Sequence, residues 1–378
     1  MTRTVLVFSL NHQTAERAKV PIKRTKTTKL SSPVVTIYDV AKRAGVSTAT
    51  ISRVLSRPHV VAEATRERVM RAVEQLGYAP NSAAKNLRQN TTGKLLVTVP
   101  DLSNPFFSLI LQGLEAAAQR EGYSVLVGDT QHDEKREERY ALMLRRKEAD
   151  GLIFLGHRLP AAAAELIQAY GRRCAPIVNG CEFNPRLGVP SVHIDNAKAA
   201  YEAMDHLFGL GHRRIGVVTG PLVSPLSRDR LTGVSERAKE EGASRDFVVM
   251  HGDFSIESGA VAAERLLSRS DRRPTAIFCF NDEMAMGVLK VARRLRIAVP
   301  EQLSVVGFDN IRFSEYLAPS LTTISQPMRR IGEGCVHLLL GILNDENEAT
   351  EVPSSVTLPH QLIVRESTAP APTKRRQK

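Results

Sequence analysis

The alternation of Val- and Ile-rich runs with helix-period segments constrains this chain more than any other feature. LLVTVP (95–100), SVLVGD (124–129), GLIFLG (151–156) and APIVNG (175–180) form one series, with helical patterns over about 106–121 and from 130 to Ala149. SVHIDN (191–196), RIGVVTG (214–220), VVMHGD (248–253), TAIFCF (275–280) and LSVVGFD (303–309) form a second, with helical patterns running to Leu210, Glu241, Leu267 and Leu295. Short β-branched runs that are nearly continuous in apolar character must be covered on both faces, and helices between them supply the cover. The two series therefore predict two similar α/β lobes built on parallel sheets.

Open α/β sheets bind ligands beyond the carboxyl ends of their strands, so the residues that follow each run are the candidate site. They are dense in polar and aromatic groups: Asp101, Asn104, Phe106 and Phe107; Asp129; Asp195 and Asn196; Arg230; Asp253 and Phe254; Asn281 and Asp282; Asp309 and Asn310. Aromatic faces beside carboxylates and amides suit a small polyhydroxylated or heteroaromatic ligand. An Asp or Asn after a strand is also a turn former or helix cap. Asp195 and Asp282 are expected to be caps or inter-lobe contacts, and core packing is the alternative reading of Phe106 or Phe107.

Ahead of the lobes lies TIYDVAKRAGVSTATISRVLS (36–56). Ile37, Val40, Ala41 and Ala44 recur at the period of an amphipathic helix, opened by Thr36 and stopped by Gly45, which takes the left-handed conformation a helix C-terminus demands. Ser47 caps a second helix with Ile51, Val54 and Leu55 on its inner stripe, through a turn short enough to pack the two as a helix-turn-helix. Thr48, Ala49, Ser52 and Arg53 remain on the outer face, small or hydrogen-bonding groups suited to base edges and phosphates in a DNA major groove. Val69, Ala72, Val73 and Leu76 mark a third helix, from near Ala62 to Gly77. Past Tyr78-Ala79-Pro80-Asn81, the stretch 82–88 holds one or two helical turns at most, a length that is marginal in isolation.

Charge is placed accordingly. Residues 1 to 94 carry 17 Lys/Arg against five Asp/Glu, residues 95 to 368 carry 31 against 35, and the last ten residues add four positive charges. A basic front end on a mildly acidic body points to a polyanion meeting one end of the molecule. The apolar runs are too short to span a bilayer, and VLVFSL near the start is too short for a signal-peptide core. Cys174, Cys181, Cys279 and Cys335 lack metal-ligand or CxxC spacing and read as reduced thiols of a cytoplasmic protein. Neither GxSxG, HExxH nor a Walker loop is present, Gly209-Leu210-Gly211 lacks the third glycine of a dinucleotide fingerprint, and His157, His193 and His212 stand isolated. An enzyme, a metal site and a cofactor are not expected.

TIYDVAKRAGVSTATISRVLS, AAKNLR, DGLIFLG, GHRRIGVVTGP, PTAIFCFNDEMAMG, LSVVGFDN and LTTISQP together closely resemble the LacI family of bacterial transcription regulators, from about Val35 to Ser367. VPDLSNPFF, VLVGD, LGHRLP, VHIDN and GDF are most similar to the cytidine-repressor branch, with purine repressors more distant. Outside the resemblance, composition reads residues 1–33 as a basic disordered extension and 369–378 as a basic tail; the resemblance implies a helix-turn-helix domain (34–79), a hinge helix and linker (80–92) and a periplasmic-binding-protein-like core (93–368). Within the core, one lobe takes 93–194 plus 326–354 and the other 195–325 plus 355–368, with crossovers near 194, 325 and 355. It further implies a homodimer or tetramer on a pseudo-palindromic double-stranded operator. Thr48, Ala49, Ser52 and Arg53 would face the major groove, and Leu87 would wedge into a minor-groove step with Lys85 and Arg88 beside it. A small effector, a nucleoside such as cytidine or alternatively a sugar, would meet Phe106, Phe107, Arg230, Phe254, Asn281 and Asp309. Two departures stand out. Purine repressors carry a charged run after GPL where this chain has Val223-Ser224-Pro225-Leu226, which argues against a purine base, and Cys181 replaces the Asn or Asp of relatives.

Overall fold

A computed structural model describes residues 35–78, 91–171, 173–243, 247–268, 273–344 and 355–372. The chain divides into an N-terminal unit, ending at residue 82, and a larger second unit.

In the first unit, α1 (Ile37–Ala44), α2 (Thr48–Ser56) and α3 (Glu63–Leu76) enclose one small core of Val40, Ala41, Ala44, Ile51, Val54, Val69 and Ala72. Thr36 and Asp39 close a capping box at the start of α1, and Gly45 ends it at φ 62°. The Ser47 side chain accepts from the Thr50 amide at 3.2 Å, capping α2. Arg43 of α1 donates through Nε and Nη2 to Gln75 of α3, at 3.2 and 2.9 Å, and so ties the first helix to the third.

The second unit holds two six-stranded sheets. Lobe one contains β1 (Lys94–Val99), α4 (Pro105–Arg120), β2 (Ser124–Asp129), α5 (Glu134–Arg145), β3 (Gly151–Phe154), α6 (Ala161–Tyr170), β4 (Ile177–Gly180) and β5 (Ser191–Ile194). Lobe two contains α7 (Asn196–Gly209), β6 (Ile215–Thr219), α8 (Pro225–Glu240), β7 (Phe247–His251), α9 (Ile256–Leu267), β8 (Ala276–Cys279), α10 (Asp282–Arg294), β9 (Ser304–Asp309) and β10 (Thr322–Ser325). The chain then returns to lobe one with α11 (Met328–Asn344) and β11 (Ser355–Leu358), and ends in lobe two with β12 (Gln361–Ile363). The first sheet runs β11-β5-β4-β3-β1-β2 and is parallel throughout. The second runs β12-β10-β9-β8-β6-β7, parallel except that β12 joins β10 antiparallel.

Two expectations are corrected here. SVHIDN does not open the second series by run order: β5 pairs with β4 in the first sheet, in line with the lobe boundary near 194 that the resemblance implied. The third crossover does not fall at 355, because Ser355–Leu358 pairs in parallel with Ser191–Ile194 of lobe one and the chain changes lobe only at Pro359-His360. A β-branched run takes the sheet that offers an unpaired edge, and both placements are set by that edge.

The lobes also touch through side chains. Ile311, on the loop after β9, is 3% exposed within the lobe-one core of Phe106, Ile110, Met328 and Ile331, and Met286 of α10 packs against the same cluster. Asp282 holds that loop. Its carboxylate accepts from the Ile311 amide at 2.9 Å and from the Ser314 and Thr323 hydroxyls at 2.6 Å each. The residue is thus neither a cap nor an inter-lobe contact itself; Asn281 caps α10 and Asp282 anchors the loop that makes the contact.

Candidate functional site

Two surfaces gather the expected residues. On α2, Ala49 and Arg53 are exposed and Thr48 and Ser52 half-buried, while Ile51 and Val54 turn inward. Ala49 and Arg53 thus stand on the outer face, while Thr48 and Ser52 share the half-buried state of Thr50 and Leu55. Tyr38 at the start of α1 is 74% exposed, an aromatic hydroxyl that helix periodicity placed outside the core without marking it as functional. Lys85, Leu87 and Arg88 lie outside the described residues.

The second surface is the cleft between the lobes. Arg230, two turns into α8, is 3% exposed. Its Nε donates to Asn196 Oδ1 at 2.9 Å, its Nη1 donates to the Phe280 carbonyl, and its Nη2 lies 3.9 Å from Asp309 Oδ1. The guanidinium carbon sits 3.5 Å from the centroid of the Phe308 ring, a close cation–π contact. Asp309 ends β9 at φ 110°, a left-handed backbone that a non-glycine residue holds only when its surroundings demand it, and accepts from Gln326 Nε2 at 2.7 Å. Burial raises the Asp309 carboxyl and lowers the Arg230 guanidinium, since each charge has lost its water, while their mutual attraction opposes both shifts.

The remaining expected contacts are placed less uniformly. Asn281 spends its amide on the fold: Oδ1 accepts from the Met284 amide at 2.9 Å and Nδ2 donates to the Phe254 carbonyl at 2.8 Å. Phe254 takes φ 73° and lays its ring where a Cβ on Gly220 would stand. Phe106 is buried in the lobe-one core, its ring centroid 5.2 Å from that of half-buried Phe107 in an edge-on pair. The structure thus brings Arg230 to Asp309 and Asn281 to Phe254. Asp195 and Asn104 cap helices, and Asp101 and Asp253 close turns on Ser103 and Ser255, as short polar groups after strands do.

One residue of the cleft escaped the sequence. Glu182, just after β4 and next to Cys181, is 7% exposed and faces Ser224 of lobe two, whose Oγ lies 3.2 Å from both carboxylate oxygens. Burial raises its carboxyl to about 7, against the hydrogen bond from Ser224 and the nearby positive charges of Arg230 and Arg228. The signal available was its position, an acid two residues past a strand end, beside the cysteine already singled out. Phe183 and Asn184, with Arg186, line a cavity of about 370 Å³ whose other wall is Pro225, Arg228 and Asp229 at the start of α8. Among the described residues no cluster could hold a metal ion, and no helix is long and apolar enough to cross a membrane.

Comparison with known proteins gives this geometry a family. Residues 36–81 match the model for bacterial regulatory proteins of the lacI family, and residues 204–368 match that for a periplasmic binding protein-like domain. The chain is 41% identical over 346 residues to the HTH-type transcriptional repressor CytR of Escherichia coli (strain K12), which covers 91% of this chain and 99% of CytR. The chain belongs to the LacI family.

Like other LacI-family proteins it is a helix-turn-helix transcriptional repressor with a ligand-binding domain, and the two-lobed core agrees with solved structures of that family. The lac repressor dimer bound to operator and the anti-inducer ONPF matches with a TM-score of 0.78 at 28% identity, covering 89% of this chain and 99% of that one. The transcriptional regulator CelR in complex with cellobiose matches with a TM-score of 0.66 at 30% identity, over 88% and 99%.

Proposed function

We propose that this repressor binds a pseudo-palindromic operator as a homodimer and that a nucleoside, cytidine or a close analogue, bound between the lobes lowers its operator affinity. The observation that carries the reading is the buried polar set of Arg230, Asp309 and Glu182 at the junction of two lobes. Taking such groups out of water is costly, and a guanidinium opposite a carboxylate can grip hydroxyls from both sides. Ligand held there changes the angle between the lobes, hence the spacing of the two hinge segments at 80–92. A coupling of about 1 to 3 kcal/mol would change operator affinity roughly 5- to 150-fold. On DNA, Thr48, Ala49, Ser52 and Arg53 read the major groove, and Leu87 opens a minor-groove step flanked by Lys85 and Arg88. Phe106, Phe107, Phe254 and Asn281 complete the effector pocket, the first pair as its aromatic wall and Asn281 by holding Phe254.

A sugar effector is the second reading, supported by the cellobiose complex of CelR. The test is a thermal-shift panel on the full-length protein with nucleosides, purine bases and common sugars. A ligand at 100 times its dissociation constant adds about 2.7 kcal/mol. A shift with cytidine supports the first reading, a shift with a sugar alone replaces it with the second, and no shift with any of them overturns both.

A further inference from the structure

We infer that the end of lobe two opposite the cleft is a DNA-binding surface in its own right, where the basic stretch 373–378 and the loop ahead of β6 together grip the phosphates of a duplex without reading its sequence.

A strap of chain fixes where that basic stretch begins. Ser367 is fully buried; its Oγ accepts from the Thr322 amide at 2.8 Å and donates to the Val305 carbonyl at 2.6 Å. The Ala369 amide donates to Ser304 Oγ at 3.1 Å, and its carbonyl lies 3.1 Å from Nε2 of buried His212. The Ala371 amide then donates to the Leu210 carbonyl at 2.8 Å. These partners stand at or ahead of the amino ends of strands: Leu210 and His212 before β6, Ser304 at the start of β9. The strap therefore crosses lobe two at the end away from Phe280 and Asp309, which mark the carboxyl ends and the cleft.

This placement brings like charges together. The strap runs out beside Gly211-His212-Arg213-Arg214, where a Cβ on Gly211 would stand 3.8 Å from that of Ala371. Arg213 and Arg214 are exposed; Arg213 pairs with Glu241 at 2.8 Å, and Arg214 has no ion pair among the described residues. Arg273, ahead of β8, has a buried Nε with no hydrogen-bond partner among them. The stretch TKRRQK then adds Lys374, Arg375, Arg376 and Lys378 without an acid, and six residues reach at most about 20 Å from Pro372. Cations are favoured after a helix C-terminus, which accounts for Arg213 and Arg214 behind α7. It does not account for strapping four more positive charges next to them. Such crowding is unfavourable in isolation, and a polyanion that releases its counterions offsets it.

The same composition selects the polyanion. TKRRQK has no aromatic ring to stack on unpaired bases and no apolar side chain to enter a bilayer, which leaves phosphate contacts along a duplex. Residues 95–368 carry 31 Lys/Arg against 35 Asp/Glu, so the basic end is a local feature of lobe two and not bulk charge.

The test is lysine footprinting of the full-length protein, by acylation with and without a short duplex of random sequence and mass spectrometry of the products. Lys374 and Lys378 should be protected at low ionic strength and lose protection at high salt, while exposed Lys135 on α5 of lobe one reacts equally with and without duplex. The affinity read from that protection should fall with log salt by about 0.9 for each phosphate contact, and Arg214→Gln should flatten the slope by about 0.9. Tail lysines that react equally with and without duplex, Lys135 protected to the same degree, a slope unchanged in Arg214→Gln, or equal protection by a single-stranded oligonucleotide or an anionic lipid vesicle would each overturn the assignment. If thermal melting shows that Arg214→Gln does not fold, the protection pattern on the native protein decides alone.

Discussion

Replacing Arg230 with Ala should destabilise the core by an amount that grows with pH. The guanidinium is 3% exposed, and its removal takes a partner from Asn196 Oδ1, from the Phe280 carbonyl and from the face of Phe308. At 3.9 Å its attraction to Asp309 is not the largest contribution lost. The larger consequence is a buried carboxyl group to which, among the described residues, only Gln326 then donates, and breaking a buried pair in this way costs about 3 to 5 kcal/mol. Asp309 can escape part of that cost by taking a proton. Burial already holds its folded value above the ordinary 3.8, and losing Arg230 raises it further. For an acid with a raised folded value, the associated stability is complete below the unfolded value and is lost as pH rises through the folded one. The variant therefore continues to lose stability at pH values where the native protein has levelled off. Urea unfolding of the full-length protein at pH 7 and pH 9.5, on either side of the native Asp309 value of about 8, at one ionic strength, should show a smaller midpoint shift at pH 7. Adding Asp309→Asn should abolish the difference. Equal shifts at the two pH values, or a double variant that keeps the difference, would refute the reasoning.

The other predictions are briefer. Glu182 is raised from 4.5 to about 7 by burial, so its contribution is full below about 4.5 and lost as pH climbs through 7; the fall in melting temperature between pH 5 and pH 8 should shrink in Glu182→Gln. Gly332 lets α11 lie against α4, since a Cβ there would stand 2.2 Å from the Ile110 carbonyl oxygen. Gly332→Ala should therefore lower stability by about 1 to 3 kcal/mol through overpacking, despite a gain of about 1 kcal/mol in helix propensity, and a stabilised variant in urea titration would contradict that contact. Arg53→Ala should weaken operator binding and, if the guanidinium meets a phosphate, flatten the dependence of log affinity on log salt by about 0.9; a gel-shift series across salt concentrations reads both.

Local features of this chain were legible without its structure. The caps at Thr36, Ser47 and Gly45, the outer face of α2 and most of the strand runs depend on residues within a turn or two of one another, where side-chain period and backbone preference act directly. Arg230 and Asp309 stood among many polar residues past the strand ends, and the family resemblance picked them out from that set. Residues 328–344 carry a clear helical period, with Met328, Ile331, Cys335, Val336, Leu339 and Leu340 on one face, but period alone does not say which lobe that face meets; β10 and β12 are short and carry a weaker signal. Tertiary structure alone decided that β11 pairs with β5 in the first sheet, that Asp282 anchors the Ile311 loop, and that Glu182 meets Ser224 across the cleft. Each of these depends on which edge or lobe lies opposite, a relation between segments tens of residues apart. Periodicity along one segment says which face is apolar, and it cannot say what that face, or the one charged group beside it, will meet.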